Sequence, residues 1–258
     1  MSGKSVAVRI ENLGKTFDRP VLSGLTLDIH QGETFVVLGQ SGTGKSVLLK
    51  ILIGLLPPDS GNVEVMGESI TQASDERRRE IRRRFGMLFQ TAALFDSLTV
   101  FENVGFSLIE SGMPPVEIRE RVSSRLALVL LSGVEDKYPA ALSGGMRKRV
   151  GLARAIASEP PILLYDEPTT GLDPVTSAVI NRLIRRVQRE LSVTSIVVTH
   201  DMVSASYVGD RMGLLHEGRM RFVGSPADFE SCADPIVRQF IRGEAAGPLS
   251  EQWKEDES

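Results

Sequence analysis

Residues 34–53, TFVVLGQSGTGKSVLLKILI, join a short apolar run to a glycine-rich turn and then to a helical pattern. The apolar run followed at once by glycine predicts a buried strand. The turn GQSGTGKS at 39–46 matches the pattern G-x-x-x-x-G-K-[ST] in the strand-to-helix position that this pattern requires. Glycines let the backbone curl so that N–H groups point inward, and the helix adds its own unpaired N–H groups. The stretch therefore predicts an α/β fold with a phosphate-binding loop.

Two residues of this loop have a predicted chemical role. Lys45 would reach the β- and γ-phosphates of a nucleotide as a mobile point charge, and the Ser46 hydroxyl would hold a magnesium ion. The alternative is a glycine-rich turn with an incidental lysine, which the flanking strand and helix make less favourable. The nucleotide contacts predicted from this loop are Gly39, Gln40, Ser41, Gly42, Thr43, Gly44, Lys45 and Ser46.

The run ILLYDE at 162–167 predicts a second buried strand that ends in two carboxylates. Ligands of open α/β sheets bind at the carboxyl ends of the strands, so Asp166 is placed to hold the magnesium shell. Glu167 is placed to orient and polarise an attacking water. Two adjacent acids at a strand end repel each other unless a cation lies near them. The alternative is that both acids are solvated and simply begin a loop.

The order of the apolar runs predicts the domain organisation. TFVVLG, ILLYDE and SIVVTHD are expected to be parallel strands of one α/β core made from residues 1–90 and 160–243. Residues 91–159 have apolar residues at helical spacing and contain no strand-like run, which indicates an inserted helical subdomain. Residues 244–258 are acidic and rich in small residues, so we expect a carboxyl-terminal tail.

Composition excludes several classes of protein. A chain of 258 residues with 41% hydrophobic residues can bury a core without disulfide or metal cross-links. Its single cysteine, Cys232, cannot form an internal disulfide. These features favour a reducing, cytoplasmic setting. No secretory signal is expected at the amino terminus, and the best transmembrane candidate is broken by Lys50 and stopped by Pro57.

Net charge and charge pattern argue against a nucleic-acid partner. The formal net charge of −3 gives no long-range attraction to nucleic acid or anionic lipid. The run RRREIRRR at 77–84 is basic, but acidic residues are interleaved and no aromatic residues accompany it. It predicts a solvated helix face.

The motif LSGGMRKR at 142–149 predicts a second anion-binding site. Ser143 is a predicted helix N-cap, followed by Gly144 and Gly145 at the start of a helix. This motif resembles the LSGG signature of ATP-binding cassette (ABC) transporter ATPases. The resemblance implies a P-loop NTPase (RecA-like) core with N-terminal antiparallel β strands and an inserted helical subdomain.

Further landmarks of that family follow in the expected order. Gln90 matches the glutamine that contacts magnesium and the attacking water, and Asp173 matches the loop that crosses the dimer interface. His200 matches the histidine that contacts the γ-phosphate. Phe17 lies where the family stacks an aromatic side chain on adenine. Taken alone, His200 fits an ordinary loop residue and Phe17 fits a core residue.

The resemblance also implies a mechanism and partners. Two copies would sandwich two Mg·ATP head to tail, each nucleotide lying between Lys45 of one copy and Ser143 of the other. Glu167, His200, Gln90 and Lys45 are the implied catalytic residues. The implied partners are a second copy and an integral membrane permease that docks near residues 93–104, which places the chain on the cytoplasmic side of the inner (plasma) membrane. Met146 stands where many members have glutamine.

Two segments resemble one branch of the family more narrowly. Residues 87–108 and 234–249 are similar to the ATPase of Mla-type phospholipid transporters and their chloroplast lipid-import relatives. This implies phospholipid cargo, a lipid-binding partner protein, and a contact of the tail residues 247–249 with the neighbouring ATPase or with a small regulatory domain. The alternative for the tail is disorder after Leu249. Open alternatives for function are another cargo (amino acid, metal or lipoprotein), a soluble ABC ATPase acting on DNA or ribosomes, and an ATP-binding module without hydrolysis.

Overall fold

The computed structural model describes residues 5–250, which contain ten strands and nine α-helices. The strands are β1 Val6–Thr16, β2 Pro20–His30, β3 Thr34–Leu38, β4 Ser60–Val65, β5 Glu68–Ser69, β6 Phe85–Leu88, β7 Ile162–Asp166, β8 Thr194–Thr199, β9 Arg211–His216 and β10 Arg219–Gly224. The helices are α1 Lys45–Leu52, α2 Asp75–Arg82, α3 Val100–Glu110, α4 Pro115–Leu128, α5 Gly144–Ala155, α6 Pro174–Leu191, α7 Met202–Val208, α8 Pro226–Ser231 and α9 Pro235–Arg242.

A six-stranded sheet of order β10-β9-β3-β8-β7-β6 forms the centre of the chain. All its neighbouring strands pair in parallel except β10, which pairs antiparallel with β9. In β3, Phe35 and Val37 face one hydrophobic core while Val36 and Leu38 face another. Burial on both faces explains why these strands are continuous apolar runs rather than alternating ones. Parallel pairing brings the carboxyl ends of β3, β7 and β8 to one edge of the sheet.

A second sheet of order β2-β1-β4-β5 is antiparallel, as the family resemblance implied. Its inward side chains pack with α1 and with one face of the central sheet in a single core that includes Ile10, Leu25, Leu49 and Phe35. The predicted α/β fold with N-terminal antiparallel strands is confirmed. Strand β6 was not predicted as a strand, because four residues of mixed burial leave little pattern to read.

The region 91–159 is helical throughout its described secondary structure. Helices α3, α4 and α5 pack together through Val104, Val122 and Val150, which are fully buried. The boundaries proposed at residues 90 and 159 stay a prediction. Within residues 5–250, no helix combines the length and hydropathy needed to cross a membrane.

The basic run at 77–84 falls on α2 and on its carboxyl-terminal end. Arg78 pairs with Asp75 at 3.0 Å, and Arg77 pairs with both Glu68 and Glu80. The arginines are therefore partly neutralised on a solvated face, as the interleaved acids predicted.

The carboxyl-terminal segment 244–250 folds back onto α9. The buried side chain of Gln239 donates to Glu244 O at 3.1 Å and to Ser250 Oγ at 2.9 Å, and it accepts from Leu249 N at 2.7 Å. The predicted tail is thus packed up to Ser250, and its remainder, 251–258, lies outside the described residues.

One buried amide stabilises the loop before α3. Asn103 is completely buried; its Nδ2 donates to the carbonyls of Phe95, Leu98 and Thr99 at 2.9–3.0 Å, and its Oδ1 accepts from Phe95 N at 2.8 Å. Buried amide donors and acceptors left without partners cost about 1–3 kcal/mol each.

We therefore expect Asn103→Ala to lower the free energy of unfolding by about 2–4 kcal/mol, because it leaves several of these backbone groups unpaired. Urea titration followed by circular dichroism measures the loss. The control is Glu110→Ala, at an exposed position of the same helix, which should change stability by no more than about 0.5 kcal/mol. An Asn103→Ala loss as small as that of the control would contradict the assigned role.

Candidate functional site

The glycine-rich loop joins the end of β3 to the start of α1 as predicted. Gly42 and Gly44 have φ values of 80° and 99°, in the left-handed region that favours glycine. A Cβ on Gly44 would also lie 2.7 Å from the Val21 side chain, so a larger residue is excluded there. Lys45 is the first residue of α1, and its Nζ donates to Gly39 O at 2.7 Å and Gln40 O at 2.8 Å. The ammonium is therefore held inside the loop that curls around it.

Most of the predicted nucleotide-site residues line one cavity of about 970 Å³. This volume suits a nucleotide-sized ligand. Its walls come from the amino-terminal sheet, the glycine-rich loop, the ends of β7 and β8, and α9 with the segment that follows. The predicted residues among its lining are Phe17, Gln40, Ser41, Gly42, Gly44, Lys45, Ser46, Gln90, Glu167 and His200. Gly39 and Thr43 belong to the same loop and are joined to it by hydrogen bonds.

Two oxygen ligands suited to magnesium lie together here: Ser46 lines the cavity, and Asp166 is not among its lining residues in the described chain. Ser46 Oγ donates to Asp166 Oδ1 at 3.4 Å. Burial raises the pKa of Asp166, and the neighbouring negative charge of Glu167 raises it further. A cation at this point would offset both effects, and hydroxyl and carboxylate oxygens are the donors that magnesium prefers. The residues present fit a magnesium ion.

The Glu167 carboxylate is held on several sides. His200 Nδ1 lies 2.9 Å from Glu167 Oε2, while Thr170 Oγ1 and Thr199 Oγ1 donate to the same oxygen at 3.2 and 3.4 Å. Lys45 Nζ lies 3.8 Å from Oε1. Burial lowers the pKa of Lys45, and the charges of Glu167 and Asp166 oppose that shift. The carboxylate is therefore fixed between two nitrogen groups at the cavity wall.

The backbone of Glu167 is strained. Its φ is 46°, a left-handed conformation that costs a non-glycine residue roughly 1–3 kcal/mol unless the surroundings enforce it. The Glu167 amide donates to Val198 O at 2.9 Å, across to β8. Such strain is common where a side chain must point in one direction for function.

Phe17 lies at the mouth of the cavity and is 55% exposed. Lys15 Nζ is 5.5 Å from the centre of its ring, and Asp59 holds that ammonium at 2.7 Å. Phe17 is therefore not a core residue, and one flat face is available for stacking.

A second group of predicted residues lies outside the lining of this cavity. Ser143 caps α5 by accepting from Met146 N at 3.3 Å, and Asp173 caps α6 by accepting from the amides of Val175 and Thr176 at 3.0 Å. Gly145 lies against Thr176, so the two helix starts are neighbours. Within the described part of the chain, neither Ser143, Gly144, Gly145 nor Asp173 lines the cavity.

Several contacts at the site were not predicted from the sequence. Thr170 follows β7 and Thr199 ends β8, so both could have been noticed as hydroxyls at the same sheet edge. The wall formed by Gln239, Phe240 and Leu249 carries no sequence signal, because it depends on how segment 244–250 folds back.

A family model described as ABC transporter matches residues 22–170. This chain belongs to the ABC transporter family. It is an ATPase, and the predicted family and ATPase activity are confirmed. A protein of Mycobacterium leprae named probable ribonucleotide transport ATP-binding protein mkl is 43% identical over 255 residues, covering 98% of this chain and 74% of the relative. An Arabidopsis thaliana protein named trigalactosyldiacylglycerol 3, chloroplastic, is 43% identical over 263 residues, covering 95% and 76%.

Solved structures of the family share this fold. The structure of cbiO1 from Clostridium perfringens, part of the ABC transporter complex cbiONQ, matches with a TM-score of 0.83 at 31% identity, covering 93% of this chain and 96% of that chain. An ATP-binding cassette solved as a dimer in a post-hydrolysis state with ADP and Pi matches with a TM-score of 0.78 at 34% identity, covering 85% and 98%.

An arginine of α5 supports the loop that follows Gln90 in this ABC ATPase. Arg154 Nη1 donates to Ala93 O at 2.7 Å and Nη2 to Ala92 O at 2.8 Å. Both alanines have left-handed φ values, 63° and 47°. The Arg154 guanidinium also lies 6.0 Å from the ring of Phe95. The planar fork of arginine suits two adjacent carbonyls, which the point charge of lysine does not reproduce.

We expect Arg154→Met to increase amide hydrogen exchange at residues 91–95 at least about tenfold, because the left-handed turn loses both donors. Hydrogen-exchange mass spectrometry measures this, with the peptide from α6 as internal reference. Arg154→Lys should give an intermediate rate. If residues 91–95 exchanged equally in all three proteins, the turn would not depend on Arg154.

Proposed function

We propose that this ATPase works as a homodimer that drives phospholipid transport between membranes through a separate permease. The ATP-driven part of this proposal is supported by the cavity in which Lys45, Glu167 and His200 meet. The head-to-tail dimer is supported by the position of Ser143 and Asp173 on a patch away from that cavity, where a second copy could use them. A solved relative is a dimer bound to ADP and Pi.

In the proposed dimer, each nucleotide lies between the glycine-rich loop of one copy and Ser143, Gly144 and Gly145 of the other. Its base would stack on Phe17. Helix α5 would present its amino terminus and the Ser143 hydroxyl to the γ-phosphate. Phosphates that a single copy holds loosely would then join two copies, and loss of the γ-phosphate would let the dimer open.

The hydrolytic step is proposed to depend on positioning and charge. Glu167 would orient the attacking water, with Gln90 aligning it and with Lys45 and His200 countering negative charge on the γ-phosphate. A magnesium ion, held by Ser46, Asp166 and Gln90, would neutralise part of the phosphate charge. The contact of His200 with Glu167 at 2.9 Å supports a shared role for the two residues.

The permease is proposed to dock on the segment after Gln90, on the cytoplasmic side of the inner membrane. Phe95 is 46% exposed and is available for such a contact, whereas Val100 is completely buried and belongs to the core. A small regulatory domain at residues 247–249 and a lipid-binding protein are further proposed partners. Pro248 is exposed, which leaves this surface accessible.

The phospholipid cargo rests on segments 87–108 and 234–249 and on the chloroplast relative named after a glycolipid. Overall identity does not select the cargo. Relatives named for methionine import in Rhodococcus jostii and for spermidine/putrescine import in Rubrobacter xylanophilus are each 42% identical to this chain. An importer of such small molecules is therefore the second candidate function.

We expect Glu167→Gln to bind ATP with a dissociation constant within about threefold of the wild type and to lose at least about a hundredfold in turnover. It should accumulate as a dimer with ATP, which analytical ultracentrifugation detects. Adding Ser143→Arg to this variant should abolish the dimer while ATP affinity stays the same. Normal turnover by Glu167→Gln, or an undiminished dimer with Ser143→Arg, would refute the respective assignment.

Cargo is tested by purifying the chain with the membrane proteins that co-elute and extracting bound lipid. We expect phospholipid at a stoichiometric level, and ATPase activity that phospholipid vesicles stimulate. The Glu167→Gln complex is the matched control for ATP dependence. Stimulation by an amino acid or a polyamine in place of lipid would favour the importer.

A further inference from the structure

Helix α5 carries a lysine in the protein interior. Lys148 is 5% exposed, and its Nζ donates to the backbone carbonyl of Glu167 at 3.3 Å. A buried ammonium is unfavourable unless charged or hydrogen-bonding partners compensate for lost water. Burial lowers the pKa of Lys148, while the charges of Asp166 and Glu167 oppose that shift. The lysine therefore has a defined electrostatic partner at the catalytic end of β7.

The contact falls on the strained residue itself. The Glu167 carbonyl also accepts from Thr170 N at 3.2 Å, and the Glu167 amide is bonded to Val198 O at 2.9 Å. Both peptide groups around the left-handed φ are thus fixed from outside. With its backbone held in this way, Glu167 directs its carboxylate toward His200. A conformation that is unfavourable by itself persists when such contacts enforce it.

Two lysines approach Glu167, and they differ in what they contact. Lys45 faces the carboxylate and belongs to the wall of the nucleotide cavity. Lys148 contacts the carbonyl and is not among the residues that line this cavity in the described chain. When phosphates engage Lys45, Lys148 still holds the turn. Of the two lysines, Lys148 is therefore the one that can hold Glu167 while Lys45 binds phosphate.

The same helix begins at the signature serine. Ser143 caps α5, and Lys148 follows five residues later, about 7.5 Å along the axis at about 1.5 Å per residue. We propose that Lys148 is a positioning residue for Glu167, which holds its left-handed turn and links it to the signature helix of the same chain. A displacement of that helix would then move the catalytic carboxylate. This inference rests on the roles proposed above for Glu167 and Ser143.

The test separates rate from affinity. Lys148→Met removes the donor, and Lys148→Gln keeps an N–H donor on a shorter side chain. At saturating ATP we expect single-turnover hydrolysis to fall at least about thirtyfold in Lys148→Met and about three- to tenfold in Lys148→Gln. The dissociation constant for ATP should stay within about threefold in both. Lys137→Met, the same change at an exposed lysine of the helical region, should match the wild type in rate and affinity.

A parallel loss of ATP affinity and rate, or a Lys148→Met rate within twofold of the wild type, would overturn the proposal. If Lys148→Met does not fold, Lys148→Gln decides alone: a wild-type rate, or a loss shared by affinity, overturns it, and the stated three- to tenfold loss of rate supports it. In the Glu167→Gln background, adding Lys148→Gln should leave the ATP-driven dimer intact. Loss of that dimer would assign Lys148 to the signature motif instead and would also overturn the proposal.

These results also distinguish this inference from the proposed function. If Glu167→Gln turned over ATP normally, the role of Glu167 would fail whatever Lys148 did. If Glu167→Gln stalled while both Lys148 variants hydrolysed normally, only the positioning role would fail.

Discussion

Two adjacent carboxylates at the end of one buried strand are the constraint on which the site depends. Asp166 ends β7 and Glu167 follows it directly, and burial and the charge of Glu167 both disfavour the charged form of Asp166. The chain resolves this by giving them different partners: Asp166 meets Ser46, and Glu167 meets His200 and Lys45. The left-handed backbone at Glu167 makes that separation possible. The Lys45 ammonium therefore offsets part of the negative charge at this edge.

The parallel sheet brings these partners together. Strands β3, β7 and β8 are neighbours in the order β3-β8-β7, and their carboxyl ends share one edge. The glycine-rich loop, the two carboxylates and His200 each follow one of these strands directly. Ser46 and Asp166, which are 120 positions apart in sequence, thus meet without any special local structure. The cavity is a consequence of strand order.

Whether a feature could be predicted from the sequence depends on how far apart along the chain its residues lie. The glycine-rich loop and the cap at Ser143 were predictable because each is a local pattern of a few residues. Arg154 and Lys148 were not, since their partners lie 61 and 19 positions away and a lone basic residue on a helix usually faces solvent. The packing of segment 244–250 on Gln239 was also not predictable, because a single buried amide leaves no pattern in the sequence. These long-range polar contacts could be identified only from the structure.

Helix α5 shows why relatives with different cargoes can share so much sequence. Its 12 residues follow the N-cap Ser143. The helix contacts the Glu167 turn through Lys148 and supports the loop after Gln90 through Arg154. In the proposed mechanism, each of these contacts serves the conversion of nucleotide chemistry into motion, and none of them involves a cargo. Relatives named for ribonucleotide, methionine and polyamine transport are accordingly 42–43% identical to this chain. In the proposed transporter, cargo is therefore recognised by the membrane partner and not by these contacts of the ATPase.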